Sequence, residues 1–76
     1  MTARDEILEA IPAVARSDGT FTVEAIAREL RRRGSSYAES TIRTHVISRM
    51  CANSPGNHAV TYNDLERLGP GVYRRL

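Results

Sequence analysis

Glycine partitions this chain. Gly19 in SDGT, Gly34 in RRRG and the Gly69-Pro70-Gly71 triplet are its turn signals, and each interrupts an apolar stripe. The elements between them must be short and must gain stability by packing on one another. With 76 residues and one cysteine, Cys51, the expectation is a single domain, 1–76, with a small core and no intramolecular disulfide.

Ile7, Leu8, Ile11, Val14 and Ala15 form one stripe at helical spacing. A helix is therefore expected over Ala3–Arg16, opened by a capping box of Thr2 and Asp5. Pro12 has no amide hydrogen for the Leu8 carbonyl, so a kink or break is expected there. Thr20–Thr22 is β-prone and suits a single short strand. Thr22 also suits the N-cap of a second helix whose buried face is Val23, Ile26, Ala27 and Leu30. Arg31, Arg32 and Arg33 favour the negative end of that helix's dipole, and Gly34 suits a left-handed cap.

Two starts compete for a third helix: a capping box of Ser36 with Glu39, or Ser40 as N-cap. With Ile42 at zero and about 100° per residue, Val46 falls near 40°, Met50 near 80° and Ile47 near 140°, which defines a core face. A helix begun at Tyr37 would put that tyrosine at about 220°, opposite the core. The favoured reading has Tyr37 and Ala38 in a turn and the main helix over 40–52. NSPGNH, 53–58, then ends it, and Leu65–Leu68 with Val72–Leu76 are expected to form a β-hairpin around Gly69-Pro70-Gly71. The alternative for NDLERL is a helical turn capped by Asn63.

The outer face of the third helix is unusual. Thr41, Thr44, His45 and Ser48 are contiguous on the wheel, small or uncharged, and able to hydrogen-bond. Arg43 and Arg49 flank the core face and can reach outward along their stems. Glutamates there would repel phosphates, and long apolar side chains would make a protein interface. This set suits base edges and phosphates instead.

Charge follows the same division. The net charge is +2, and all eleven basic residues are arginine, as a GC-rich coding sequence would give. Arginine's planar fork nonetheless fits phosphate and guanine edges better than an ammonium does. Through residue 30, Arg4, Arg16 and Arg28 face Asp5, Glu6, Glu9, Asp18, Glu24 and Glu29. From residue 31 onward eight arginines face only Glu39, Asp64 and Glu66. An acidic scaffold followed by a polyanion-facing part is the expected organisation.

The order helix, strand, helix, tight turn, helix, hairpin gives a mainly α fold with a small β-hairpin: a winged helix-turn-helix of three helices and a C-terminal wing. Its third helix would enter the major groove of double-stranded DNA. Ser40, Thr41, Arg43, Thr44, His45, Ser48 and Arg49 would face the groove, with Ser40 at a helix N-terminus that favours phosphate. Arg31, Arg32 and Arg33 before it, with Arg67, Arg74 and Arg75 on the hairpin, would straddle the backbone.

The string GSSYAESTIRTHVISRMCANSPGNHAVTYNDLERLGPGVYRRL resembles a largely uncharacterised family of small winged-helix domains. These occur in actinobacterial proteins, sometimes attached to nuclease or restriction modules. The resemblance covers about residues 20–76. Its most specific parts are YAESTIRTHV, CAN, NH and the run Asp64–Leu76, which carries one extra arginine. It implies a winged-helix fold and DNA binding, and no residue roles.

Other classes find little support. His45, Cys51 and His58 lack zinc-type spacing, so no metal or other cofactor is expected, and Cys51 reads as a small packing residue. His58 reads as ordering the loop before the hairpin. There is no nucleophile elbow, no paired catalytic carboxylates and no phosphate-cradling glycine loop, so catalysis is not expected. No small-molecule ligand is expected. No apolar run approaches the roughly 18–20 residues of a membrane span, and the opening MTARDEILEA lacks the apolar core of a signal peptide. The expectation is a soluble, cytoplasmic protein, a small transcriptional regulator. The alternative is a winged-helix interaction module, with Asp5, Glu6 and Glu9 on the first helix as the contact for a partner or for a homodimer.

Overall fold

A computed structural model describes residues 2–53 and 62–76. The first helix, α1, spans Ala3–Val14 and opens with the expected capping box, in which the Asp5 amide donates to Thr2 Oγ1 at 3.2 Å and the Thr2 amide to Asp5 Oδ2 at 3.2 Å. The helix passes through Pro12 unbroken and stops two residues later, short of Arg16, where Ala15 turns to an extended conformation. Ile7 and Ile11 are fully packed, and Leu8, Val14 and Ala15 lie against the core at its margin.

Gly19, at φ 84°, turns the chain into β1, Thr20–Thr22. The second helix, α2, spans Val23–Arg32 with Thr22 as its N-cap, accepting from the Ala25 amide at 3.1 Å. Val23, Ile26, Ala27 and Leu30 are all buried, as their spacing predicts. At its end Gly34 takes φ 78°, and the Ser35 and Gly34 amides return to the Leu30 and Arg31 carbonyls, which satisfies two otherwise orphaned acceptors.

Neither predicted cap opens the third helix. Its N-cap is Ala38, with no side-chain hydrogen bond, and α3 spans Glu39–Thr44. Tyr37 lies outside the helix and packs against the core, which frees it from the wheel position that would have exposed it. The helix then widens into a π turn, His45–Arg49, closed by the Met50 amide on the His45 carbonyl at 2.8 Å. The helical span is thus 39–49 rather than 40–52. Ile42, Val46 and Met50 are buried as expected, but Ile47 is 38 % exposed. It stands about 100° from the centre of that face, too far round to be covered. Cys51 is fully buried because the chain has left the helix by then: it forms a parallel bridge with Leu65, and its thiol donates to Asn53 Oδ1. Asn53 in turn brackets the Arg67 backbone, accepting from its amide at 2.8 Å and donating to its carbonyl at 3.0 Å. The rest of the predicted turn, 54–58, including the loop role of His58, lies outside the described residues.

The hairpin forms, and the helical alternative for NDLERL does not. Strand β2 is Leu65–Gly69 and β3 is Val72–Arg75, with a bulge between Arg67 and Gly69 and Gly71 at φ 71°. Strand β1 is no isolated strand: it pairs with β3, giving a three-stranded antiparallel sheet in the order β1-β3-β2. Phe21 and Tyr73 are direct partners across that pair, with ring centroids 6.4 Å apart. The architecture is a small α/β domain, with more sheet than a hairpin alone. One core joins α1, α2, β1, α3, the π turn and the hairpin. Each fully buried Ile, Leu, Phe or Met in it contributes roughly 1.5–3 kcal/mol of apolar burial, which opposes the conformational entropy lost on folding. Arg4 adds a long-range tie. Its guanidinium meets both oxygens of Asp64 at 2.8 and 2.9 Å and lies 4.1 Å from the centre of the Tyr62 ring.

Candidate nucleic-acid interface

The outer face of α3 and the π turn carries an open concavity of about 280 Å³, lined by Ser40, Thr41, Thr44, His45 and Arg49. These are five of the residues marked by the sequence pattern, and the helix brings them together outside the face formed by Ile42, Val46 and Met50, with Thr44 farthest from that face and Arg49 at its margin. Arg49 forms no ion pair among the described residues. Ser48 is half-buried and does not line the concavity.

Hydrogen bonding on this face is asymmetric. The Thr44 hydroxyl donates to the Ser40 carbonyl at 2.9 Å. His45 Nδ1 lies 2.9 Å from the Thr41 carbonyl, which can only accept, so the ring proton sits on Nδ1. Outward, Thr44 presents lone pairs, and a neutral His45 presents Nε2 as an acceptor. Donors on the face come from Ser40, Thr41 and Arg49. The pattern is therefore narrower than side chains that donate and accept freely.

The other candidates are dispersed. Arg31 points toward α3 and pairs with Glu39 at 2.6 Å. Arg32 and Arg33 both bind Glu29, at 2.7 Å each. Glu29, only 12 % exposed, is held down to a pKa of about 2 by the hydrogen bonds from Arg32 and then Arg33. Arg33 also lines a cleft of about 360 Å³ with Glu6 and Glu9 of α1. The arginine triplet thus divides between two carboxylates, Arg31 on Glu39 and Arg32 with Arg33 on Glu29. Arg43 pairs with Glu39 at 3.0 Å and lines a separate groove between α2 and α3. Glu39 Oε1 takes Arg31 while Oε2 takes Arg43, so its carboxyl lies below its ordinary value, chiefly through the Arg43 hydrogen bond. On the hairpin, Arg74 is paired with Glu66, whereas Arg67 and Arg75 are exposed without an ion pair among the described residues. No hairpin residue lines the α3 concavity.

Residues 3–75 match the family described as a domain of unknown function, DUF7669. The chain belongs to that family. No curated protein and no solved structure matches it. Membership brings no activity with it, so the side chains themselves must carry the functional argument. Among the described residues, no group of three or more His, Cys, Asp or Glu side chains is placed to hold a metal ion, and no helix is long and apolar enough to cross a membrane.

Pattern reasoning missed the contacts made by Glu39 and Asn53. Glu39 had a usable signal, its i,i+4 spacing to Arg43. Its bond to Arg31 and the Asn53 bracket depend on tertiary placement, which no local spacing encodes.

Proposed function

We propose that this chain is a DNA-binding domain of the winged helix-turn-helix type that lays α3 and its π turn into the major groove of double-stranded DNA as a small transcriptional regulator. One observation carries the reading. The helix that follows the tight turn after α2 presents a concave, uncharged, hydrogen-bonding face ending in Arg49, which forms no ion pair among the described residues. Acceptors at Thr44 and His45 suit the exocyclic amines of adenine and cytosine, and Arg49 suits a phosphate or a guanine edge. The element order, and the pairing of the first strand with the last, agree with a winged helix. The β2–β3 hairpin would be a short wing: the Val23 amide donates to the Gly71 carbonyl at 3.2 Å, which holds the tip against the start of α2.

The second reading, an interaction module that does not touch DNA, draws on the carboxylates that already engage Arg31, Arg32, Arg33, Arg43 and Arg74. Fluorescence anisotropy with random duplex DNA, titrated with salt, separates the two. Each neutralised phosphate contributes about −0.9 to the slope of log K against log salt. A slope steeper than roughly −3 supports DNA binding, whereas no binding at about 50 mM salt overturns it in favour of a protein partner on α1.

A further inference from the structure

We propose that the groove between α2 and the start of α3 is a seat for one DNA backbone phosphate, closed in the free protein by the carboxylate of Glu39. The proposal rests on the DNA-binding reading for the source of its ligand, and on the groove itself for its chemistry.

Arg28, Arg31 and Arg43 line one open groove of about 180 Å³ together with Glu24, Ala27 and Glu39. Arg28 and Arg31 are one turn apart on α2, and Arg43 comes from α3, so three arginines line the groove from two elements. Glu39 spans two of them with one oxygen each, Oε1 to Arg31 Nη2 at 2.6 Å and Oε2 to Arg43 Nε at 3.0 Å. This is the contact pattern of an oxyanion bridging two forks. A carboxylate has no third oxygen, and Arg28 makes no ion pair among the described residues. A phosphate group has an oxygen for it.

The exchange is cheap. The Arg31 side chain is 75 % exposed and that of Glu39 43 %, and water-screened pairs of this kind contribute little net stability. Three guanidiniums against the carboxylates of Glu24 and Glu39 leave the groove positive even before Glu39 turns away. Glu24 opposes the phosphate from the α2 side and sets a limit on its affinity. Glu39 acts as an internal competitor, so random DNA held by few contacts fails to displace it, while DNA already docked on the α3 face does.

The test follows the arginine Nε–Hε signals by NMR while inorganic phosphate is added to the wild type and to Glu39→Gln, with chloride at matched ionic strength as the control. The amide keeps the shape and removes the charge. In Glu39→Gln, Arg28, Arg31 and Arg43 are expected to shift together at several-fold lower phosphate than in the wild type, and a further Arg28→Ala change is expected to abolish the Arg31 and Arg43 shifts. Absence of phosphate-specific shifts in Glu39→Gln overturns the seat. Anisotropy with duplex DNA identifies the source: Glu39→Gln is expected to bind random duplex about tenfold tighter, with a slope steeper by about 0.9. Phosphate shifts beside an unchanged slope, in a protein that binds duplex, overturn the DNA assignment in favour of free phosphate. Phosphate shifts in a wild type that binds no duplex overturn the DNA-binding reading and leave the seat standing.

Discussion

Two faces of this domain carry arginine, and they spend it differently. On the outer face of α3, Arg49 stands beside Ser40, Thr41, Thr44 and His45 with no ion pair among the described residues. Around the end of α2, Arg31, Arg32 and Arg33 are all engaged by Glu29 or Glu39. The second region holds more positive charge in sequence and offers less of it to a ligand. Availability, set by which carboxylate reaches which guanidinium, decides which of the two regions is open to a ligand in the free protein.

The comparison breaks most sharply if the α3 face is made acidic. Ser40 and Thr44 are both exposed, so Ser40→Glu with Thr44→Glu should leave the circular dichroism spectrum unchanged and weaken duplex binding by about a hundredfold or more through phosphate repulsion. Retained affinity would remove α3 from the interface. Arg49→Ala should cost about tenfold and flatten the salt slope by about 0.9, the signature of one lost phosphate contact. Arg32→Ala sharpens the contrast from the other side: as a partner of Glu29 it should change duplex affinity by less than about twofold, read in the same anisotropy assay. The smallest effect concerns stability. The Glu29 pKa falls from 4.5 to about 2 on folding, so the stabilisation it brings is present above 4.5 and is lost as the pH falls through that window toward 2. Thermal midpoints of Glu29→Gln should therefore vary less with pH between those limits than those of the wild type.

Much of the scaffold is legible from spacing because its determinants are local. The Thr2–Asp5 box, the Thr22 cap, the α2 stripe and the left-handed Gly34 each depend on residues within a few positions of one another. The polar set on α3 is legible for the same reason: a helix maps sequence spacing onto a face. Three features are not. The pairing of β1 with β3 joins Phe21 to Tyr73, and nothing within Thr20–Thr22 specifies it. The π turn is a backbone choice made inside an otherwise ordinary helical pattern. The ion pairs divide by distance: Glu29 with Arg32 and Arg33, and Glu39 with Arg43, lie within one helical turn, whereas Arg31–Glu39 and Arg4–Asp64 cross between elements. A charge count adds arginines without asking which of them the fold has already neutralised.

The small brackets at the margins of the sheet have a consequence for how copies of this protein behave in company. A sheet's outermost strands normally leave amides and carbonyls open, and such rows template the stacking of one chain on another. Here Asn53 occupies both backbone groups of Arg67 on β2, while Asp18 Oδ1 and the Arg16 amide occupy those of Thr20 on β1. At each margin a few local groups stand in for a missing neighbouring strand. At Arg67 and Thr20 the edges of this narrow sheet therefore present no open amide or carbonyl on which a second copy could stack.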